Sequence, residues 1–189
     1  MEYAGFWRRL GALVVDTLVL LPLTGLALWG TGHSRLFYAY WLLPSLAFNL
    51  WFYVHLVRRY GGTPGKLALK MRIAMRDGAP VTVKAALLRN APLFILSGLA
   101  SVAAALACLQ MDDTVYLSLD FLDRGKAMEK LMPAWYPAVF ILLQLWIWAE
   151  FVTMLLNRQR RAVHDLIAGT VVIRQPAANA ADAEQSVQA

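Results

Sequence analysis

Four stretches of roughly twenty predominantly apolar residues, about 10–29, 36–57, 91–110 and 134–156, decide what this chain can fold into. A helix of about that length crosses the hydrocarbon core of a bilayer, and inside lipid it satisfies its own backbone polar groups. The sequence therefore predicts an all-α membrane protein, a bundle of four transmembrane helices within residues 1–175. Composition agrees, because a chain that is 59% apolar, 16% charged and of mean hydropathy +0.51 has too little polar surface for a soluble domain. The Ala-, Asn- and Gln-rich tail, 176–189, is expected to be disordered.

Loop charges give the orientation. Arg8 and Arg9 precede the first span. Arg58, Arg59, Lys66, Lys70, Arg72, Arg76, Lys84 and Arg89 follow the second, and Arg158, Arg160, Arg161 and Arg174 follow the fourth. The opposite side carries only Arg35, Arg124, Lys126 and Lys130, so the positive-inside rule places both termini in the cytoplasm. This topology, with attraction to anionic membrane lipid, accounts for the net charge of +6. A nucleic-acid partner is not expected, because no surface outside the membrane is available to read bases. The Arg8-Arg9 pair before an apolar run also resembles a signal peptide, but Asp16 within the run and the lack of a small-x-small cleavage site favour a retained anchor.

One cysteine, Cys108, and three scattered histidines provide neither a disulfide framework nor a metal cluster, and no cofactor is expected. Between the second and third spans, Gly61-Gly62-Thr63-Pro64-Gly65-Lys66 has the look of a phosphate loop. Leu67 stands where that motif needs Ser or Thr, so the run reads as a tight turn. The alternation through Leu69–Met75, the Asp77-Gly78 turn and Val81-Thr82-Val83 predict a small cytoplasmic β-hairpin, which Thr170–Arg174 can join. Residues 84–90 read as an interfacial helix with Lys84 and Arg89 near the headgroups. The outer segment, 111–133, is acidic. Small residues along the third span, among them Ser97, Gly98 and Ser101, suggest a homo-oligomer or a membrane-protein partner.

Charges within the spans carry the functional argument, since a carboxylate near a bilayer centre costs about 3 kcal/mol and normally faces the bundle or a wet cavity. Asp16 and Glu150 are placed at similar depth near the cytoplasmic face, with Asn49 of the second span at the same level. Arg9 lies two helical turns before Asp16 on the same face. Glu150, Thr153 and Asn157 form a stripe on the fourth span. In one reading Asp16 pairs with Arg9 or another base, while Asn49 and Glu150 hydrogen-bond across helices to fix register. In the other, Asp16, Glu150 and Asn49 form a site for a proton or a monovalent cation.

The segments Ala4–Ala12 with Asp16, Thr63-Pro64-Gly65-Lys66 with Asp77-Gly78, and Arg161 through His164-Asp165 to Thr170 resemble the RDD family of bacterial membrane proteins. That family is named for one arginine and two aspartates, which the resemblance assigns to Arg9, Asp16 and Asp165. It implies transport, with sodium/proton antiport among its members, or an adaptor role in membrane complexes. Asp165 is placed to return to Arg8 or Arg9 at the cytoplasmic mouth, or to serve as helix-end packing before Gly169. The sequence expectation is thus cation/proton exchange or permeation, the alternative being a non-catalytic scaffold that docks a partner on its basic loop. A membrane enzyme is the weakest reading, because His164 and Asp165 have no Ser or Cys nucleophile in register.

Overall fold

The computed structural model describes residues 2–156 and 160–175. Asn157, Arg158 and the tail expected to be disordered lie outside the described residues. Among the described residues, three helices are long and apolar enough to cross a membrane: α1 (Phe6–His33), α5 (Val83–Gln110) and α8 (Tyr136–Leu156). The second apolar stretch is helical throughout but divided, with α2 (Phe37–Leu50) passing into a π-helical turn, Trp51–His55, and then α3 (Leu56–Tyr60). Pro22, Pro44 and Pro92 sit inside helices, each removing one backbone donor, as spanning helices tolerate when neighbours re-satisfy the freed carbonyls. Outward-facing Leu18, Leu43, Ile95, Leu145 and Trp148 are exposed, the inverse of a water-soluble bundle. Helix α5 packs against α2, the π turn and α8.

The expected hairpin is not formed. Strand β1 (Met71–Met75) pairs instead with β2 (Thr170–Arg174), antiparallel, with Ile73 opposite Val172. The Asp77-Gly78 turn itself is present: Gly78 adopts φ 87° and Asp77 Oδ1 accepts from the Ala79 amide at 2.9 Å. One backbone bond, Met75 N–H to Ala79 O, follows the turn, and then Pro80 has no N–H with which to continue the ladder. Val81-Thr82-Val83, β-branched and strand-like in sequence, leads into a helix because the Thr82 side chain accepts from the Ala85 amide at 3.1 Å and caps α5. Thr82→Ala is accordingly expected to lower stability by about 1 kcal/mol, read from thermal unfolding of the purified protein in detergent.

The far edge of β2 is covered by the N-terminal segment. Ala4 N–H donates to Val172 O at 3.0 Å and Arg174 N–H to Glu2 O at 2.9 Å, which brings residues 2–4 and 172–174 to the same end of the bundle. Met71, Ile73, Val81, Val172 and the helix residues Ala12, Val57, Ala85 and Ala168 form a core beneath the sheet. A second core closes the opposite end, where the acidic outer segment folds into α6 (Asp113–Ser118) and α7 (Phe121–Leu131) around buried Tyr116 and Met128. Its carboxylates have structural work: Asp112 and Asp120 cap those helices, Asp113 meets Arg35, and Asp123 pairs with Lys126.

Candidate functional site

At the sheet end of the bundle, two short helices fold back onto the spans. Helix α4 (Pro64–Ala68) packs on α1, and α9 (Val163–Ala168) packs against α5 and α8. They organise the charges that the sequence placed inside the membrane.

Asp16, 5% exposed, is held by the Gly61–Lys66 run. Gly61, at φ 81°, ends α3 in the left-handed conformation. Thr63 then occupies the N-cap position of α4 and Pro64 the first helical position. The Thr63 hydroxyl donates to Asp16 Oδ2 at 2.6 Å and the Gly65 amide to Oδ1 at 2.7 Å. The Gly65 amide is one of the donors that the first turn of a helix leaves without an internal partner. The run is a turn, as expected, and it is also the receptor for Asp16. The expected pairing of Asp16 with Arg9 is corrected: the two are on one face, but the depth of Asp16 brings it against α4, and Arg9 reaches past it to another carboxylate.

That carboxylate is Asp165, which is fully buried. Arg9 Nη1 donates to its Oδ2 at 2.8 Å, and Arg89 Nη1 meets its Oδ1. The Thr170 hydroxyl and the Ala162 amide complete the shell, at 3.0 and 3.2 Å. Arg161 ties the same turn together by donating to the backbone carbonyls of Asp165 and Thr170. Burial by itself raises the Asp165 carboxyl, but Arg89, His164 and Arg9 outweigh it and hold the group well below the usual carboxylate range. Gly169, at φ 67°, ends α9. Arg8 takes no part in this shell. Arg89 does not lie among headgroups as expected; at 6% exposure it points inward, because α5 begins at Val83 and carries it over α9.

Glu150 bonds to α9 rather than across the spans: its Oε1 accepts from the His164 amide at 3.0 Å, and His164 Nδ1 meets its Oε2. Asn49 donates to Ser45 O of its own helix at 2.7 Å and is corrected as a member of the shared polar level. Asn90 of α5 occupies that place. It donates to Tyr53 O at 3.2 Å, inside the π turn, where the backbone leaves the regular helical ladder.

A cavity of about 460 Å³ lies among these elements, with Arg9, Asp16, Lys66, Arg89, Glu150 and His164 on its polar side. Burial, and then the charge of Arg89, bring the Lys66 ammonium down to about 8. Burial, again followed by Arg89, lowers His164, against the opposing effect of Glu150. Among the described residues, Nε and Nη2 of Arg9, Oε2 of Glu150 and Nε2 of His164 are buried without a hydrogen-bond partner. Sequence reasoning brought Asp16, Glu150, Arg9 and Asp165 to this end of the molecule; it missed Thr63, Gly65, Lys66, Asn90 and His164. The one available signal was the conjunction of Gly-Thr-Pro-Gly-Lys with an intramembrane acid.

A family model, described as the RDD family, matches residues 3–169, a range that contains every residue of the cavity. No curated protein and no solved structure matches the chain.

Proposed function

The chain belongs to the RDD family, and from that premise we propose that it is a multi-pass inner-membrane transporter that moves protons through the cavity, with Glu150 and His164 as the proton-carrying pair. All four apolar segments cross the bilayer in this reading, and the sheet end, where both ends of the described chain meet, is cytoplasmic. The basic residues of the loops that converge there support that orientation.

One observation carries the reading: a carboxylate on a spanning helix, Glu150, faces the cavity in contact with an imidazole whose second nitrogen is unpartnered. Asp16 and Asp165 are poor proton carriers by comparison, because fixed donors engage both oxygens of each. In this reading the imidazole holds one proton on Nδ1, the nitrogen that meets Glu150, while Nε2, 3.8 Å from Asp165 Oδ2 and without a hydrogen-bond partner, accepts a proton from the cavity. The imidazolium then gives its Nδ1 proton to the Glu150 carboxylate, which leaves the ring as the Nε2–H tautomer and Glu150 protonated; the pair is reset when Glu150 releases that proton and the imidazole returns to the Nδ1–H tautomer. Arg9, Asp16, Lys66, Arg89 and Asp165 surround the pair; with Glu150 that is three bases against three acids, and because donors already engage both oxygens of Asp16 and of Asp165, no open set of carboxylates is left for a bare metal cation. Among the described residues no cluster of three metal-binding side chains occurs either. The contact of Glu150 with the His164 imidazole supports the proton as the cation of this site, and exchange against Na⁺, K⁺ or Li⁺ is the competing coupling.

The test is potential-driven proton uptake in proteoliposomes, with pulses of Na⁺, K⁺ and Li⁺ as separate arms. The wild type is expected to take up protons above empty liposomes without a required partner cation, and Glu150→Gln to fall to the empty-liposome level while eluting as a folded protein. Uptake that appears only with an added cation assigns exchange. No uptake in any arm sinks the transport reading and leaves the scaffold.

A further inference from the structure

We propose that the cavity is a binding site for an anionic amphiphile of the membrane, a phosphate headgroup held by Arg9 and Lys66 with its acyl chain leaving between α1 and α8. The inference uses the same cavity as the proton pathway but does not depend on proton movement.

The polar side supplies the head. Arg9 is 8% exposed at its side chain and spends only Nη1 on Asp165, so two guanidinium donors, Nε and Nη2, are buried with nothing to bond among the described residues. Leaving such donors unmatched is costly, and a guanidinium fork fits the oxygens of a phosphate. Lys66 has a single long contact, 3.4 Å to the Thr63 hydroxyl, and its ammonium is available. The carboxylate of Asp16 is already matched by Thr63 and Gly65 and does not neutralise these bases by contact. Glu150 is the other opposing charge on the wall, and it is turned to His164.

The remaining wall is apolar and faces the bilayer. Leu13 on α1 and Trp146, Ile147 and Phe151 on α8 line it, with Leu93 on α5 behind. Leu13 and Ile147 are exposed on the helix surfaces that lipid covers. Helix α1 packs on α4 and α2, whereas α8 packs on α5 and α9, so the two helices that flank the cavity are each braced elsewhere. A charged pocket that continues into a lipid-facing apolar slot matches a molecule with a fixed negative head and a chain, and it suits a small soluble anion less well because the slot is then left empty.

The experiment is native mass spectrometry of the purified full-length protein in detergent, titrated at pH 7 with dioleoyl phosphatidylglycerol, with zwitterionic dioleoyl phosphatidylcholine, or with inorganic phosphate. One equivalent of phosphatidylglycerol is expected to be retained at least about tenfold more tightly than phosphatidylcholine, the scale set by one charge-assisted hydrogen bond. Lys66→Gln is expected to lose that preference. Arg9→Lys, which keeps a charge for Asp165 while removing the free donors, is expected to weaken it, and Arg58→Gln, at an exposed base, to leave it unchanged. Lys66 faces Arg9, Asp16, Arg89 and Asp165 as well as the Thr63 hydroxyl, and it loses its proton above about 8, so retention by the wild type falls between pH 7 and pH 9. Equal retention of the two lipids, an equal loss in Arg58→Gln, or phosphate competing at the same concentration as the lipid overturns the proposal.

Discussion

Asp165→Asn is expected to destabilise the protein by about 3–5 kcal/mol, the range for removing one partner from a buried ion pair. The carboxylate is fully buried and accepts from Arg9 and meets Arg89, while Thr170 and the Ala162 amide occupy its remaining lone pairs. Asparagine keeps the volume and one acceptor oxygen but replaces the other with an amine that faces a guanidinium, leaving two buried positive charges without a counter-charge. The damage spreads because this one side chain joins α1, α5 and α9, and α9 leads directly into β2. Thermal unfolding in detergent checks the figure. The exposed Arg174–Glu2 pair supplies the contrast: Arg174→Gln is expected to change stability by less than about 1 kcal/mol. The pH dependence has a definite sign. The folded-state carboxyl lies below its unfolded value of 3.8, so its stabilising contribution is complete above that value and is lost as pH falls below it. Asp165→Asn is expected to remove that acid-sensitive component.

This shell also explains which parts of the molecule were legible in sequence. The apolar stretches are visible because a spanning helix must be apolar all along its length, and α1, α5 and α8 each contain or closely match a predicted span. Helix α5 starts well before the apolar stretch at residue 91, because Thr82 caps it and residues 84–90, expected as a separate interfacial helix, continue without a break into the span. The sheet was only half legible. A turn at Asp77-Gly78 is a local signal, whereas the partner of β1 lies at Thr170–Arg174, and no local pattern specifies a pairing across the intervening spans. The same limit applies to the site. Heptad spacing correctly put Arg9 and Asp16 on one face, but sharing a face suggested that they pair, when each has a partner distant in sequence. The π turn at Trp51–His55 adds a further offset, since a wider turn rotates the helix face, and Asn49 stays on its own helix while Tyr53 lines the cavity.

Gly65→Ala carries the second large expected effect, a loss of about 3 kcal/mol or more, because it combines overpacking with the unseating of a buried carboxylate. Helix α4 approaches α1 so closely at Gly65 that an added Cβ overlaps the carbonyl oxygen of Ala12 and stands 2.9 Å from both Cγ and Oδ1 of Asp16. The nearest obstacle is backbone, which cannot swing aside as a long side chain can. Relief requires α4 to lift from α1, and lifting lengthens the two bonds, 2.6 Å from Thr63 and 2.7 Å from Gly65, that satisfy Asp16. Gly98→Ala is the internal comparison: it lies in α5 with nothing within 4 Å of the added Cβ, so its expected change is a gain of about 0.5–1 kcal/mol from helix propensity. Thermal unfolding of the two variants in one detergent separates close packing from the general effect of removing a glycine. If Gly65→Ala melts with the wild type, α4 is not seated on α1, and the account of how Asp16 is satisfied fails with it. If it melts far below the wild type while Thr63→Val falls by only about 1–3 kcal/mol, the glycine is present for the approach of the two backbones and the threonine for one hydrogen bond. The intramembrane aspartate then acts first as the clasp between the first span and the segment that follows the second.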